Sequence, residues 1–173
     1  MNENLLEIFK NVNEWLKHAE AKNAMLVAFD GAAIFGLAQI HSADFIKNSE
    51  FLCYSLIGAI GLLTISLIIA LISFSPQLSF KPEIGAAMQS EKNMIFFEYL
   101  RKIPTELIGK EITGVDFSKL GQLDRDLAEQ IKQNSIIASS KYNHFKWAVG
   151  IASAVLFLAT IVALIQVFYI LNL

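Results

Sequence analysis

Two stretches of this chain carry no charged residue over a length that crosses a bilayer. Phe51 to Ser75 reads FLCYSLIGAIGLLTISLIIALISFS and is followed by Pro76; Trp147 to Leu173 is also charge-free and runs to the last residue. A hydrocarbon core of ~30 Å needs about 20 apolar residues in helix, so both are read as transmembrane helices rather than as buried helices of a water-soluble core. A third block, 24–41, is shorter on apolar character: AMLVAFDGAAIFGLAQI holds Asp30 near its middle and Gln39 near its end. It is read as a span because the second helix needs a hairpin partner, and the polar segment 42–50 is short enough to be the turn between them.

The expected organisation is an all-α membrane protein. An amphipathic helix covers 1–23, the spans cover 24–41, 51–75 and 147–173, an outer loop covers 42–50, and a helical water-facing region covers 76–146. The hydrophobic fraction is 54% and the net charge −2, with a mean hydropathy of +0.48. That charge argues against a nucleic-acid binder, which needs a basic face against phosphates. The segment MNENLLEIFKNVNEWLKHAEAKN is polar and holds acids, so it is not expected to be a signal peptide, and no lipidation motif is visible.

Orientation follows from the basic residues. The N-terminal segment holds Lys10, Lys17 and Lys22, the first loop holds Lys47 alone, and the segment between the second and third spans holds the other ten, from Lys81 to Lys146. Basic residues concentrate on the cytoplasmic side. The N-terminus is therefore expected in the cytoplasm and the C-terminus outside.

Each water-facing stretch next to a span carries an apolar stripe at helical spacing. Leu5, Ile8, Val12, Trp15 and Ala19 form the first; Leu120, Leu123, Leu127, Ile131 and Ala138 form the second. Both are expected to continue unbroken into their spans and to pack on each other and on neighbouring protomers. From Pro76 to Gly121 the chain reads as irregular, punctuated by Pro and Gly, with a short helix over Asn93 to Ile103 ended by Pro104. Asp116 or Ser118 is the expected cap of the long helix that follows, and Gly85 to Ser90 is expected to be mobile. Gly31 with Gly36, and Gly58 with Gly61, leave room for close helix contact and so favour assembly.

Catalytic and metal motifs are missing from the sequence. His18 and His144 fall on different stalks and His41 on the other side of the bilayer, so no shared metal site, no cofactor and no enzyme activity are expected. Cys53 has neither an intrachain partner nor metal-ligand spacing. Asp30 stands apart, because an ionisable residue inside a span costs a few kcal/mol on insertion scales. Two readings of it stand level: a functional one, as a pore or gate residue or a proton-sensitive group, and a protonated carboxyl bonded to a neighbouring helix. Asp126, Gln130, Asn134 and Lys141, at steps of four, four and seven, place a polar row on one helix face. Glu14, Lys17, Glu20, Lys22 and Asn23 lie at comparable depth on the first stalk. Carboxylate, amides and ammonium together suit a nucleobase edge and a phosphate, with Trp15 or Tyr142 to stack on the base; a solvated helix face is the plainer account of the same spacing.

Four segments, NVNEWLKHAEAKNAMLVAFDGAAIFGL, LISFSPQL, NMIFFEYL and DLAEQIKQNSIIASSKYNHFKWAV, in this order, resemble the Pycsar effector transmembrane family over nearly the whole chain. The resemblance implies an antiphage effector of the bacterial inner membrane. A partner cyclase makes cyclic UMP or cyclic CMP after infection; the effector senses it and impairs the membrane, stopping growth before phage release. The implied ligand site, placed by residue type and position, draws Glu20, Lys22 and Asn23 from the first stalk and Asp126, Gln130, Asn134, Lys141 and Tyr142 from the second. In the favoured mechanism protomers associate as a homo-oligomer through small residues and the stalks, Asp30 lines or supports the opening as the pore or gate residue, and the partners are the lipid bilayer and the nucleotide. The competing readings are a constitutive scaffold or holin-like pore without ligand, and a membrane-anchored relay acting through Asn93 to Ile103.

Overall fold

The computed structural model describes residues 1–41, 49–75 and 93–171. Residues 42–48 of the expected loop 42–50 and the segment 76–92, including the stretch 85–90 expected to be mobile, lie outside the described residues. Five α-helices follow in order: α1 (Glu3–Ile40), α2 (Glu50–Ile72), α3 (Phe97–Leu100), α4 (Thr105–Thr113) and α5 (Gln122–Leu171), with a 3-10 turn at Phe117–Lys119 before α5. No strand occurs among the described residues. Three helices, α1, α2 and α5, are long and apolar enough to cross a membrane.

At 1.5 Å per residue, the 38-residue α1 and the 50-residue α5 reach ~57 Å and ~75 Å. Both exceed a bilayer core of about 30 Å. Each is therefore a stalk and a span in one helix, as the stripes predict. Asn2 starts α1: its side-chain oxygen accepts from the Asn4 and Leu5 N–H groups at 3.0 and 3.2 Å.

The chain divides into two compact units. The first comprises 1–21 and 75–143, the second 22–74 and 144–173. In the first, Leu5 and Val12 of α1 pack with Leu100, Ile103, Ile108, Ala128 and Ile131. Of the first stripe, Leu5, Val12 and Ala19 are fully buried, while Ile8 and Trp15 are half-buried. The second stripe needs correction, because Leu123 is 55% exposed. Helix α5 begins at Gln122, so Leu123 lies about 140° around it from the buried Ala128. Leu120 precedes the helix and is buried independently of its phase.

Two local expectations also change. Asp116 makes no side-chain capping bond and instead pairs with Lys110 at 3.3 Å; the first N–H groups of α5, from Asp124 and Arg125, bond to the Gly121 carbonyl. The Asn93–Ile103 helix shrinks to the four residues of α3, and the stretch read as irregular after it holds the nine-residue α4. Pro104 stands at the N-cap of α4, and Gly114, at φ 72°, closes it in the left-handed conformation that favours glycine. The turn between α3 and α4 is held by Lys132. Lys132 is 7% exposed, and its ammonium donates to the carbonyls of Arg101 and Ile103 at 2.5 and 2.7 Å.

The second unit is a three-helix contact built on small residues. Leu26, Leu63, Ala70, Ala148, Ala152 and Val155 form its buried apolar cluster, with Leu52, Ser66 and Ser73 also buried. The expected glycine contacts are not among them: a Cβ at Gly31, Gly36, Gly58 or Gly61 would meet no atom within 4 Å. Alanine and serine bring these helices together, and the glycines face outward. Around them Phe35, Phe51, Ile57, Ile65, Phe157, Leu164 and Phe168 are exposed. Apolar surface of this extent on all three helices is what lipid covers, and helix is the backbone form that satisfies its own hydrogen bonds there.

Replacing Lys132 by Met keeps the apolar stem but strips two buried carbonyls of their donor. Unmet buried acceptors cost about 1–3 kcal/mol, so amide exchange over 101–113 accelerates by one to two orders of magnitude while α2 is unaffected. Deuterium exchange of the detergent-solubilised chain measures this.

Candidate functional site

The richest set of polar and aromatic side chains in the first unit lies where the 93–101 segment meets the facing parts of α1 and α5. Phe97 and Tyr142 stack, with centroids 5.3 Å apart and planes at 15°. Trp15 tilts against Phe97 at 5.5 Å and meets Tyr142 edge-on at 6.3 Å. Phe96 closes the group, 4.9 Å from Phe97, and is 39% exposed. Burial pushes the Tyr142 phenol above its ordinary value.

Around these rings lie three polar joints. Asn134 donates to the Asn13 side-chain oxygen at 2.7 Å. Lys141, only 6% exposed, pairs with Glu20 at 3.2 Å. Glu98 accepts from Arg101 Nε at 2.7 Å and from the Ser139 hydroxyl. Burial pushes the Glu98 carboxyl up, but the hydrogen bonds from Ser139 and Arg101, with the charges of Arg101 and Lys102, outweigh it and hold it below the usual range. Burial and the Arg101 charge push Lys132 down.

This arrangement has defined chemical capacity. The Asn13–Asn134 pair uses one donor and one acceptor, leaving amide hydrogens and a carbonyl with which to read a base edge. Lys141 is a point charge suited to phosphate, but an anion must compete with Glu20 for it. The half-buried Trp15 and Tyr142 rings are the ones a base could reach, since Phe97 is buried beneath Tyr142.

The structure brings Glu20, Asn134, Lys141 and Tyr142 into the first unit's interior or its margin. Asp126 and Gln130 are in the same unit but exposed, and Asp126 accepts from Gln122 at 2.7 Å. The reason is helical phase. Each step of four turns the chain about 40° past a full turn, so Asp126, Gln130 and Asn134 spiral from solvent towards the interior instead of sharing one face. Lys22 and Asn23 belong to the second unit, where Lys22 is exposed, with its ammonium 5.8 Å from the Phe145 ring centroid, and Asn23 is fully buried.

Asp30 is also fully buried in the second unit. Its Oδ2 lies 2.6 Å from the Ser66 hydroxyl, which lies 2.9 Å from the Ala148 carbonyl oxygen.

Asn13, Glu98, Arg101, Lys132 and Ser139 escaped the sequence reading. Glu98 and Arg101 do carry a local signal, opposite charges three apart. Lys132 and Ser139 sit seven apart on the inner side of α5, among alanines and isoleucines. Nothing in the sequence links Ser139 to a carboxylate 41 positions away.

The depressed Glu98 carboxyl has a definite pH signature. Its contribution to stability is fully present above the unfolded value of about 4.3 and is lost as pH falls through the lower folded value. The thermal midpoint, followed by near-ultraviolet circular dichroism of the aromatic group, should fall more steeply between about pH 5 and pH 3 in the wild type than in Glu98→Gln.

Comparison with known proteins agrees with the resemblance read from the sequence. The Pycsar effector protein domain matches residues 4–170. A Pycsar effector protein of Propioniciclava tarda, PtPycTM, is 31% identical over 134 residues, covering 76% of this chain and 63% of that protein. The chain thus spans somewhat less than two thirds of that relative's length. No solved structure matches. With the match running over almost all of α1 to α5, and with three helices able to cross a bilayer, the chain belongs to the Pycsar effector family as a multi-pass membrane protein.

Proposed function

We propose that this protein is an antiphage defence effector of the bacterial inner membrane. It senses cyclic UMP or cyclic CMP made by a partner cyclase and then impairs membrane integrity, arresting growth before phage release. Family membership over residues 4–170 carries this reading. The aromatic and amide groups around Asn134 and Tyr142 support it, being the chemistry a pyrimidine nucleotide needs.

In this reading the ligand site uses Glu20, Asn134, Lys141 and Tyr142, with Asn13 and Trp15 beside them. The base slides against the Trp15 and Tyr142 rings and bonds to the amides, and the phosphate takes Lys141 from Glu20. No bond is made or broken in the nucleotide, so the protein acts as a receptor and not as an enzyme. The ligand changes the protein's conformation only by binding one arrangement more tightly than another. Because α1 and α5 continue without interruption from the stalk residues into the spans, a shift of either stalk is carried by the helix itself. Asp30 is the gate residue in the spans, and the active form is a homo-oligomer. The N-terminus is cytoplasmic, where the nucleotide is made, and the C-terminus periplasmic, as the basic residues favour.

Dye release from liposomes holding the full chain tests this directly. Cyclic UMP or cyclic CMP should release dye where cyclic AMP and cyclic GMP do not. Equal release with and without nucleotide would favour a constitutive pore, and no release by correctly inserted protein would favour a scaffold or relay. Asn134→Ala and Lys141→Ala should each abolish the nucleotide response, and for Lys141 the loss of one charge-assisted bond is at least tenfold in apparent affinity. Both should insert normally, and full response in both would sink the site assignment.

A further inference from the structure

Three oxygen atoms from three helices form a chain of short contacts in the second unit. Asp30 Oδ2 on α1 is 2.6 Å from Ser66 Oγ on α2, and Ser66 Oγ is 2.9 Å from the Ala148 carbonyl oxygen on α5. Both are hydrogen-bond lengths, and each gap needs a hydrogen between its oxygens. Ser66 brings one hydrogen; a backbone carbonyl and an ionised carboxylate bring none. With Asp30 ionised, one proton would serve two gaps, and in the other two sets of lone pairs would face each other. A protonated Asp30 closes the count: its O–H donates to Ser66 Oγ, and the Ser66 O–H donates to the Ala148 carbonyl.

Two further observations agree. Asp30 Oδ1 is buried with no hydrogen-bond partner, which the carbonyl oxygen of a neutral acid tolerates far better than a carboxylate oxygen does. Nor does Asp30 have an ion pair among the described residues. The other titratable groups among the described side chains of the second unit are Lys22 on α1, His41 just past the end of α1, Glu50, Cys53 and Tyr54 at the opening of α2, and His144 and Lys146 on α5. Lys22 and Lys146 are exposed, and the α2 groups precede Ser66 by three helical turns or more.

We propose that Asp30 carries its proton in this arrangement and serves as a proton-held clip joining α1, α2 and α5, so that ionisation releases the seam. Once the proton leaves, Ser66 can donate to the carboxylate or to the Ala148 carbonyl but not to both, and one of the two inter-helix contacts becomes repulsive. This deepens the gate role given to Asp30 and rests on that role for its consequence, though not for the protonation state.

The clip is tested by infrared difference spectroscopy of the reconstituted chain near pH 7, without nucleotide, as wild type minus Asp30→Asn. The carboxamide keeps a donor for Ser66 and cannot ionise. The expected spectrum holds the carbonyl stretch of a protonated carboxylic acid, shifted in Ser66→Ala; carboxylate stretches alone would overturn the proposal. In the same liposomes, dye leakage should rise several-fold from about pH 6 to about pH 9 in the wild type and stay flat in Asp30→Asn. A flat wild-type profile, or an equal rise in Asp30→Asn, would overturn the release step. A missing response to nucleotide at fixed pH would count against the effector reading alone, because neither measurement here uses nucleotide.

Discussion

Leu5, Val12, Ala19 and Leu26 fall every seven residues along α1, and all four are buried. On α5 the buried residues recur at steps of three and four through Ala128, Ile131, Ser135 and Ala138, and again through Ala148, Ala152 and Val155, with Ala148 and Val155 one position out of the first register. A seven-residue repeat keeps one seam of a helix against its neighbours over many turns. On α1 this repeat runs within a single unbroken helix from Leu5 to Leu26.

The seam changes character along its length. In the first unit it is lined by leucine and isoleucine, whose burial from water is favourable by roughly 1.5–3 kcal/mol each. In the second unit alanine and serine dominate. Within lipid, moving an apolar side chain from tail to protein gains little, so association depends on close backbone approach and inter-helix hydrogen bonds. Ser66 supplies both, being small enough for close packing and bonded to two other helices. Outward-facing glycines are compatible with this division, because the contacts they permit are not contacts within the chain.

In the first unit the polar groups are held in pairs. Lys141 is engaged by Glu20, Asn134 by Asn13, and Glu98 by Arg101 and Ser139. Each pair offsets the desolvation of buried polar atoms. In the proposed reading a nucleotide replaces the Glu20 and Asn13 contacts of Lys141 and Asn134 with bonds of the same type, which favours ligands of matching pattern over those of matching charge alone.

How far the sequence reached can be read from particular residues. Charge-free runs of bilayer length identified α2 and the second half of α5, since no soluble context spares so many residues a charge. Stripes such as Leu5, Val12 and Ala19 announced the stalk seam, because burial in a helix repeats at fixed spacing. Ordered segments of modest similarity identified the family. Leu123 misled because its apparent stripe began at Leu120, before the helix had started and before a phase existed to count from. Asp126 and Gln130 misled because steps of four accumulate rotation. The sequence by itself determined that the three long helices form, that they are apolar enough to cross lipid, and that α1 buries the Leu5, Val12 and Ala19 stripe, because these depend on local composition and period. Only the tertiary structure decided that Ser139 meets Glu98, that Asn13 meets Asn134, and that Ser66 stands between Asp30 and Ala148. Those pairings join residues 36 to 121 positions apart, and the packing of one helix on another, not the spacing along either, chooses them.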